Sequence, residues 1–161
     1  MSGFHEAFIG LGSNLNNPVE QINQALIALE NLPQSKLTEH SKLYQTQALL
    51  PEDNLQPQPD YINAVAKLNT TLSANDLFQA LQTIEQRQQR QKTYRWGPRT
   101  LDLDLLLYGK ACIKTPELTV PHQSISQRIF VLQPLHDINP DLMIPGSGRV
   151  SDLLKLLQQP N

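Results

Sequence analysis

Hydrophobic and polar residues follow two different periods along the chain, and these periods predict its main elements. Short apolar or alternating segments are typical of strands, and they occupy residues 5–11, 37–46, 61–68 and 101–108. Apolar residues recur at helical spacing after Asn17 and after Ser73. The order strand, helix, strand, strand, helix, strand is that of a ferredoxin-like core, βαββαβ. We therefore predict an α+β fold, a mainly antiparallel sheet covered by helices, with a C-terminal extension.

Both helices have recognisable start signals. Asn17 is a capping residue, Pro18 suits the first helical position, and Glu20 suits the third. The apolar stripe of this first helix, which we expect to be buried, consists of Val19, Ile22, Leu26 and Leu29. Ser73 caps the second helix. Its buried side consists of Leu77, Leu81 and Ile84.

The strand at residues 101–108 has the sequence LDLDLLLY, which combines two acids with apolar residues. Alternate side chains of a strand share a face, so Asp102 and Asp104 should lie together. That face should continue with Leu106 and Tyr108, and the other face should consist of Leu101, Leu103, Leu105 and Leu107. Two like charges on a mostly covered strand are costly unless a cation neutralises them. Upstream arginines or Mg²⁺, which prefers carboxylates and phosphate oxygens, are the candidates. The alternative is an exposed edge strand with solubilising acids.

Two segments are predicted to be long loops. Residues 47–60 contain three prolines among polar residues, and long loops in compact domains are usually functional or disordered. Residues 86–98 are polar and basic without an acid, so they suit an anionic partner. A solvated charge run is the alternative. Farther on we predict strands at 111–113 and 118–120, a short helix or turn at 128–135, and a last helix capped by Ser151.

Composition limits the class of protein. With 161 residues, a net charge of −2 and a pI near 6.0, the chain is predicted to be a single domain over residues 1–161 that does not coat nucleic acid. The single cysteine, Cys112, fits a reducing compartment. No signal peptide and no membrane-spanning apolar stretch is apparent. We therefore expect a cytoplasmic protein with no membrane partner.

The segment RWGPRTLDLDLLLYG resembles the signature segment of the 6-hydroxymethyl-7,8-dihydropterin pyrophosphokinase family of folate biosynthesis. The resemblance covers nearly the whole chain, through GSNL at 12–15, PDYIN at 59–63, VPH at 120–122, and then Arg128 and Phe130. That family transfers pyrophosphate from ATP to the hydroxymethyl group of a reduced pterin and releases AMP. The resemblance implies the same fold and activity, with ATP and the pterin as partners, no nucleic acid, and a monomeric state.

The resemblance also implies roles for individual residues. Asp102 and Asp104 would hold two Mg²⁺ ions, and Asp104 would in addition accept the hydroxyl proton. The other catalytic residues implied are Arg90, Arg99 and Arg128. The ATP-binding residues implied are Gln82, Arg90, Arg99, Leu105, Thr119 and His122. The pterin-binding residues implied are Gly12, Thr46, Ala48, Leu49, Tyr61, Asn63, Glu85, Trp96 and Phe130.

From helical spacing alone, Gln82 and Glu85 can meet one ligand, although a solvated helix face is the simpler interpretation. The chain departs from the family pattern at Gln47, often proline, at Glu117, basic in some members, and at Gln123, tyrosine in some members. Two other functions remain as alternatives. One is an RNA-binding ferredoxin-like module, since Tyr94 and Trp96 lie among arginines. The other is a magnesium-dependent phosphodiesterase that uses the same two acids.

Overall fold

An antiparallel sheet forms the centre of the molecule. The computed structural model describes residues 4–14, 17–46, 61–88, 101–123 and 125–158. Within these residues the sheet has five strands, β1 His5–Ser13, β2 Ser35–His40, β3 Tyr44–Thr46, β4 Tyr61–Thr70 and β5 Asp102–Tyr108. The order is β2-β4-β1-β5, and β3 also pairs with β4. Because β1 pairs along the other edge of β4, strands β2 and β3 follow each other along the same edge.

Helices cover both faces of this sheet. Helices α1, Pro18–Glu30, and α2, Ala74–Gln88, pack on one face, where they bury sheet residues such as Ile9, Ala66 and Leu103. Helices α3, Ile129–Ile138, and α4, Val150–Gln158, cover the other face around Phe8, Val65 and Leu106. Each sheet face therefore has its own apolar core, as alternation along the strands requires.

Short elements connect β5 to α3 and α3 to α4. Strands β6, Ile113–Lys114, and β7, Thr119–Val120, form a hairpin after β5. A 3₁₀ turn, Ile125–Gln127, precedes α3. Strands β8, Met143–Ile144, and β9, Gly148–Arg149, form a second hairpin before α4, which the sequence patterns did not predict. In the part of the chain that the structure describes, no helix is long and apolar enough to cross a membrane.

The cap and the buried side of the second helix are as predicted. The N–H of Asp76 donates to Ser73 Oγ at 3.1 Å, and the apolar side of the helix is buried. The first helix differs at its start. Asn17 is at the N-cap position, but its side chain forms no capping hydrogen bond and its φ of 63° is left-handed. Val19 is 46% exposed rather than buried. Periodicity predicts the side of a helix on which a residue lies, but it does not predict how far the covering sheet extends.

The segment predicted as one strand over residues 37–46 is two strands. Residues 41–43 separate them, and Ser41, the first of these, is bonded to β4 through both its backbone and its side chain. Its N–H donates to Val65 O at 2.8 Å, and its hydroxyl accepts the N–H of Val65 at 3.0 Å. A side chain thus replaces a rung of the strand ladder, which propensity alone does not predict.

Strand β5 departs from simple alternation after Leu106 because it contains a bulge. Leu105 pairs with Ile9 and Leu107 pairs with Phe8, so Leu106 is an extra residue without a partner across the strand pair. Beyond it the predicted alternation is wrong, since Leu107 joins the α3 and α4 side and Tyr108 joins the α1 and α2 side. Before the bulge, the two acids lie on one face of the strand, and Leu103 and Leu105 lie on the other face, as predicted.

Several element ends also differ from the prediction. Strand β1 continues through Gly12 to Ser13 instead of ending at residue 11. Helix α2 extends to Gln88, so the first residues of the predicted 86–98 loop are helical. Helix α4 begins at Val150, so Ser151 lies inside it and does not cap it. The rest of that loop, residues 89–98, and the predicted 47–60 loop lie outside the described residues.

Candidate active site

A row of four residues crosses the sheet on the α3 side. Strand register aligns Tyr44 with Asn63, Asn63 with Gly12, and Gly12 with Asp102. Directly opposed residues of antiparallel strands project their side chains to the same face. The neighbouring row aligns Gly10 with Asp104. The two glycines therefore separate Asn63 from the acid pair without side chains of their own.

The Asn63 end of this row is closely packed. Asn63 is only 7% exposed, and its Nδ2 donates to Thr46 Oγ1 at 2.8 Å. A Cβ added at Gly12 would lie 3.3 Å from Asn63 Oδ1 and 3.8 Å from Tyr61 Cδ1. The structure thus brings together four of the predicted pterin residues, Gly12, Thr46, Tyr61 and Asn63. The absent side chain at position 12 leaves room for the Asn63 amide.

The start of α3 contributes an aromatic ring to the same side of the sheet. Phe130 packs against the cluster that contains Val65, which is two residues from Asn63 and on the same face of β4. The Arg128 guanidinium lies 5.5 Å from the centre of the Phe130 ring, a cation–π distance. The N-terminal end of α3 therefore places one predicted catalytic residue beside one predicted pterin residue.

A cavity of about 240 Å³ lies at the outer edge of β5. Its lining includes four residues predicted to be catalytic or ATP-binding, Asp104, Leu105, Thr119 and His122. The remaining lining residues are Phe78, Pro116, Glu117, Leu118 and Gln123. The N–H of His122 donates to Leu106 O at 3.0 Å, which fastens this segment to β5. Asp104 belongs both to this cavity and to the sheet face that it shares with Asp102, so the two regions meet at this residue.

Glu85 lies at the same edge. Its Oε2 accepts the N–H of Leu103, the residue between the two acids, at 2.7 Å. β5 ends the described sheet on this side, so this N–H is an edge group that needs a partner outside the ladder. Gln82, one turn earlier on α2, is exposed. In this geometry Glu85 supports the acid strand directly.

The acid pair has the chemistry of a magnesium site. Asp102 is partly buried and Asp104 is exposed, so the pair is open to a ligand. Among residues 4–14, 17–46, 61–88, 101–123 and 125–158, no group of three or more His, Cys, Asp and Glu side chains could hold a metal ion. One or two carboxylates suit Mg²⁺, which takes its remaining ligands from phosphate oxygens and water. The residues present therefore fit Mg²⁺ bound together with a phosphate substrate.

Other predicted site residues lie outside the described residues, namely Ala48, Leu49, Arg90, Trp96 and Arg99, as does Gln47. The structure adds one residue that the sequence did not indicate. The Tyr44 hydroxyl donates to the Asp137 carboxylate in the last turn of α3. Burial, followed by the hydrogen bond to Asp137 and its charge, raises the pKa of Tyr44 to about 12. The available signal was its period-2 spacing from Thr46.

The family model of 7,8-dihydro-6-hydroxymethylpterin-pyrophosphokinase matches residues 8–140 of the chain. The chain belongs to this family. Two pyrophosphokinases named 2-amino-4-hydroxy-6-hydroxymethyldihydropteridine pyrophosphokinase illustrate the similarity. The protein of Haemophilus influenzae is 48% identical over 149 residues, which are 92% of this chain and 91% of that protein. The protein of Pseudomonas aeruginosa is 48% identical over 147 residues, 91% of this chain and 88% of that protein.

The pyrophosphokinase also resembles solved structures. The wild-type HPPK-DHPS of Plasmodium falciparum superimposes with a TM-score of 0.73 at 13% sequence identity. The match covers 95% of this chain and 42% of the solved chain, so this pyrophosphokinase spans less than half of that protein. At this identity the likeness establishes the fold alone, a mixed arrangement of helices and antiparallel sheet.

Proposed function

We propose that the sheet face beside Asp102 and Asp104, together with the edge cavity, is the active site of this pyrophosphokinase. As a member of its family, the chain is an ATP-dependent diphosphotransferase of folate synthesis. It transfers the pyrophosphoryl group of ATP to the hydroxymethyl group of 6-hydroxymethyl-7,8-dihydropterin. The observation that supports the proposed site is the position of Asp104, which lies on the Asn63 face and also lines the His122 cavity.

The two substrates are assigned to the two regions by their chemistry. A pterin needs flat apolar walls and hydrogen bonds to its amide-like edge. Tyr61 and Phe130 supply rings, and Asn63 supplies both donor and acceptor atoms. ATP takes the edge cavity, with Thr119 and His122 near it and its phosphates toward Asp104. The reacting hydroxymethyl group and the transferred phosphates then meet over the two glycines of β1.

Asp102 and Asp104 are the proposed ligands of Mg²⁺, with two ions per site. Bound Mg²⁺ would neutralise the phosphate charge and align the groups for in-line transfer. The chain's own residues orient the substrates around this centre. Arg128 lies beside the Phe130 ring, where its charge can face the transferred group. Arg90, Arg99 and Trp96 are proposed to act from outside the described residues.

The decisive assay measures AMP. The protein is incubated with Mg²⁺ and ATP, with and without 6-hydroxymethyl-7,8-dihydropterin. We expect AMP to appear only when the pterin is present, together with the pterin diphosphate in equal amount. AMP formation without pterin would support a phosphodiesterase, and retention of RNA without AMP formation would support an RNA-binding module. The family and the two relatives described above are named for neither of these two alternatives.

The remaining proposals concern the molecule as a whole. We propose one domain over residues 1–161, a monomeric state and a cytoplasmic location, the last supported by the single, exposed Cys112. We also propose that the core is ferredoxin-like. The strand order β2-β4-β1-β5 with α1 and α2 on one face supports this, since it is the order that a split βαβ pair produces.

A further inference from the structure

Strand β3 is a short element beside the proposed pterin site. It spans three residues, Tyr44–Thr46, and its register consists of three pairs with β4. Tyr44 is directly opposite Asn63, and Thr46 accepts a hydrogen bond from the Asn63 amide. The two side chains that β3 projects to this face therefore flank the residue proposed to bind the pterin edge. A strand with so few ladder hydrogen bonds depends on other contacts to hold its place.

Tyr44 supplies such a contact. Its hydroxyl donates to Asp137, which is 93 residues away in sequence. Gln133 and Asp137 are one turn apart on α3, and Phe130 is one turn before Gln133, so all three lie on one side of that helix. A rise of about 1.5 Å per residue places Phe130 about 10 Å along the helix from the Tyr44 contact. Helix α3 thus connects the Tyr44 hydroxyl to the Phe130 ring.

We propose that Tyr44 is a positioning residue for the pterin. Its hydrogen bond to Asp137 fixes α3 against β3 and so sets the gap between Phe130 and the Asn63–Thr46 pair. This inference rests on the proposed function, which places the pterin in that gap. Without the bond, a small pivot of α3 changes the gap two turns away. Misplacement by about 1 Å can cost about a hundredfold in rate when reacting groups must be aligned.

The pKa of Tyr44, raised to about 12 by burial and by Asp137, agrees with this role. The hydroxyl remains protonated over the whole range in which the enzyme could work, so it can always donate. To accept the hydrogen bond from Tyr44, the side chain at position 137 needs only an acceptor oxygen, so the charge of Asp137 is not required. An asparagine at position 137 supplies that oxygen without the charge, which separates hydrogen bonding from electrostatics.

The test measures dissociation constants for the pterin, with a saturating non-hydrolysable ATP analogue, and for the ATP analogue alone. We expect Tyr44→Phe and Asp137→Ala each to weaken pterin binding about tenfold and to leave the affinity for the ATP analogue unchanged. The double variant should bind the pterin no more weakly than either single variant, since both remove the same bond. Asp137→Asn should bind nearly as tightly as the unchanged protein.

Tyr108→Phe is the matched control. It also removes one tyrosine hydroxyl, which donates to the Leu72 carbonyl, and Tyr108 belongs to the core on the other face of the sheet. We expect it to lower the melting temperature without changing pterin affinity. Equal pterin affinities of Tyr44→Phe and the unchanged protein would overturn this inference alone, as would additive losses in the double variant. An unchanged protein that does not bind the pterin would overturn the proposed site as well.

Discussion

Gly12 and Asn63 lie opposite each other on β1 and β4, and a side chain at position 12 would crowd the Asn63 amide, since its Cβ would lie 3.3 Å from Oδ1. Residues two apart on a strand share a face, which holds for Tyr61 and Asn63 in the strand predicted at 61–68 and for Asp102 and Asp104. Alternation could not predict that these two faces are one surface, because that depends on the register of three strands. The role of the two glycines of β1, which lie between Asn63 and the acid pair, can be recognised only from that register.

The first prediction concerns Asn63. Asn63→Ala should weaken pterin binding by at least about 1 kcal/mol, since polar groups of the bound ring lose partners. The affinity for an ATP analogue should change little, because the edge cavity lies two strands away. Asn69→Ala is the control, since Asn69 lies on the same strand beside Glu6 and Lys36, far from Gly12. Titration calorimetry with each ligand measures the difference, and equal loss of both affinities would contradict the assignment.

The second prediction concerns the acid pair. Asp102→Asn and Asp104→Asn each keep the side-chain shape and remove one charge. Turnover should fall by about a hundredfold or more, on the order of 3 kcal/mol, because a charge partner at the reacting centre is lost. Stability without metal should be unchanged or improved, since two like charges repel each other. Steady-state AMP formation and thermal unfolding of the metal-free protein check the two parts.

Asp141→Asn provides the comparison for the acid pair. It removes the carboxylate of a surface ion pair with Arg149, 3.8 Å long, whose side chains are 51% and 79% exposed. Such pairs contribute little, so turnover should not change. Near-normal turnover of both site variants at low Mg²⁺ would remove the proposed metal site.

At the scale of elements, the faces of the β5 side chains could be predicted from the sequence for the first part of the strand but not for the second. The acids and the leucines up to Leu105 obey alternation, so their faces followed from sequence. The bulge at Leu106 did not, because an extra residue is defined only against the partner strand. The support from Glu85 was equally hidden, since helical periodicity placed it on a side of α2 without showing that β5 ends there. The backbone groups that lie at a sheet edge can be identified only when the strand order is known.

The third prediction concerns Glu85. Glu85→Ala should leave the N–H of Leu103 without its acceptor and lower the free energy of unfolding by about 1 kcal/mol. The apparent affinity for Mg²⁺ with ATP should also fall, because the strand segment between the acids is less fixed. Glu85→Gln keeps an acceptor oxygen and should lose much less of both. Urea unfolding and calorimetric titration of Mg²⁺ with a non-hydrolysable ATP analogue measure the two effects, and identical behaviour of the two variants would refute the proposed support.

At the scale of the whole molecule, the sequence predicted the order of the main elements, but not every contact that joins them. Helices α1 and α2 follow from local patterns because each buries one side, and strands β1, β4 and β5 follow because they are short, largely apolar segments that contribute to both cores. The division between β2 and β3 depends on Ser41, and the attachment of β3 to α3 depends on Tyr44 and Asp137. The contacts of Ser41 and of Tyr44 are hydrogen bonds of polar side chains to residues far away in the sequence. Such contacts leave no periodic pattern in the sequence. Such contacts determine how helix α3, which covers the Asn63 face of the sheet, is attached to the proposed site.

The last prediction concerns stability at alkaline pH. Folding raises the pKa of Tyr44 from 10.0 to about 12, mainly by burial and then by the hydrogen bond to Asp137 and its charge. The neutral phenol is therefore favoured in the folded state, and its contribution is fully present below pH 10 and is lost as pH rises through about 12. The difference in unfolding free energy between the unchanged protein and Tyr44→Phe should be constant between about pH 6 and pH 9 and should shrink above that range. Subtracting the variant cancels the other tyrosines and lysines, including Tyr108, whose pKa is raised by burial in both proteins. Urea unfolding at several pH values measures this difference, and a constant value up to pH 12 would show that Tyr44 is not held as the structure indicates.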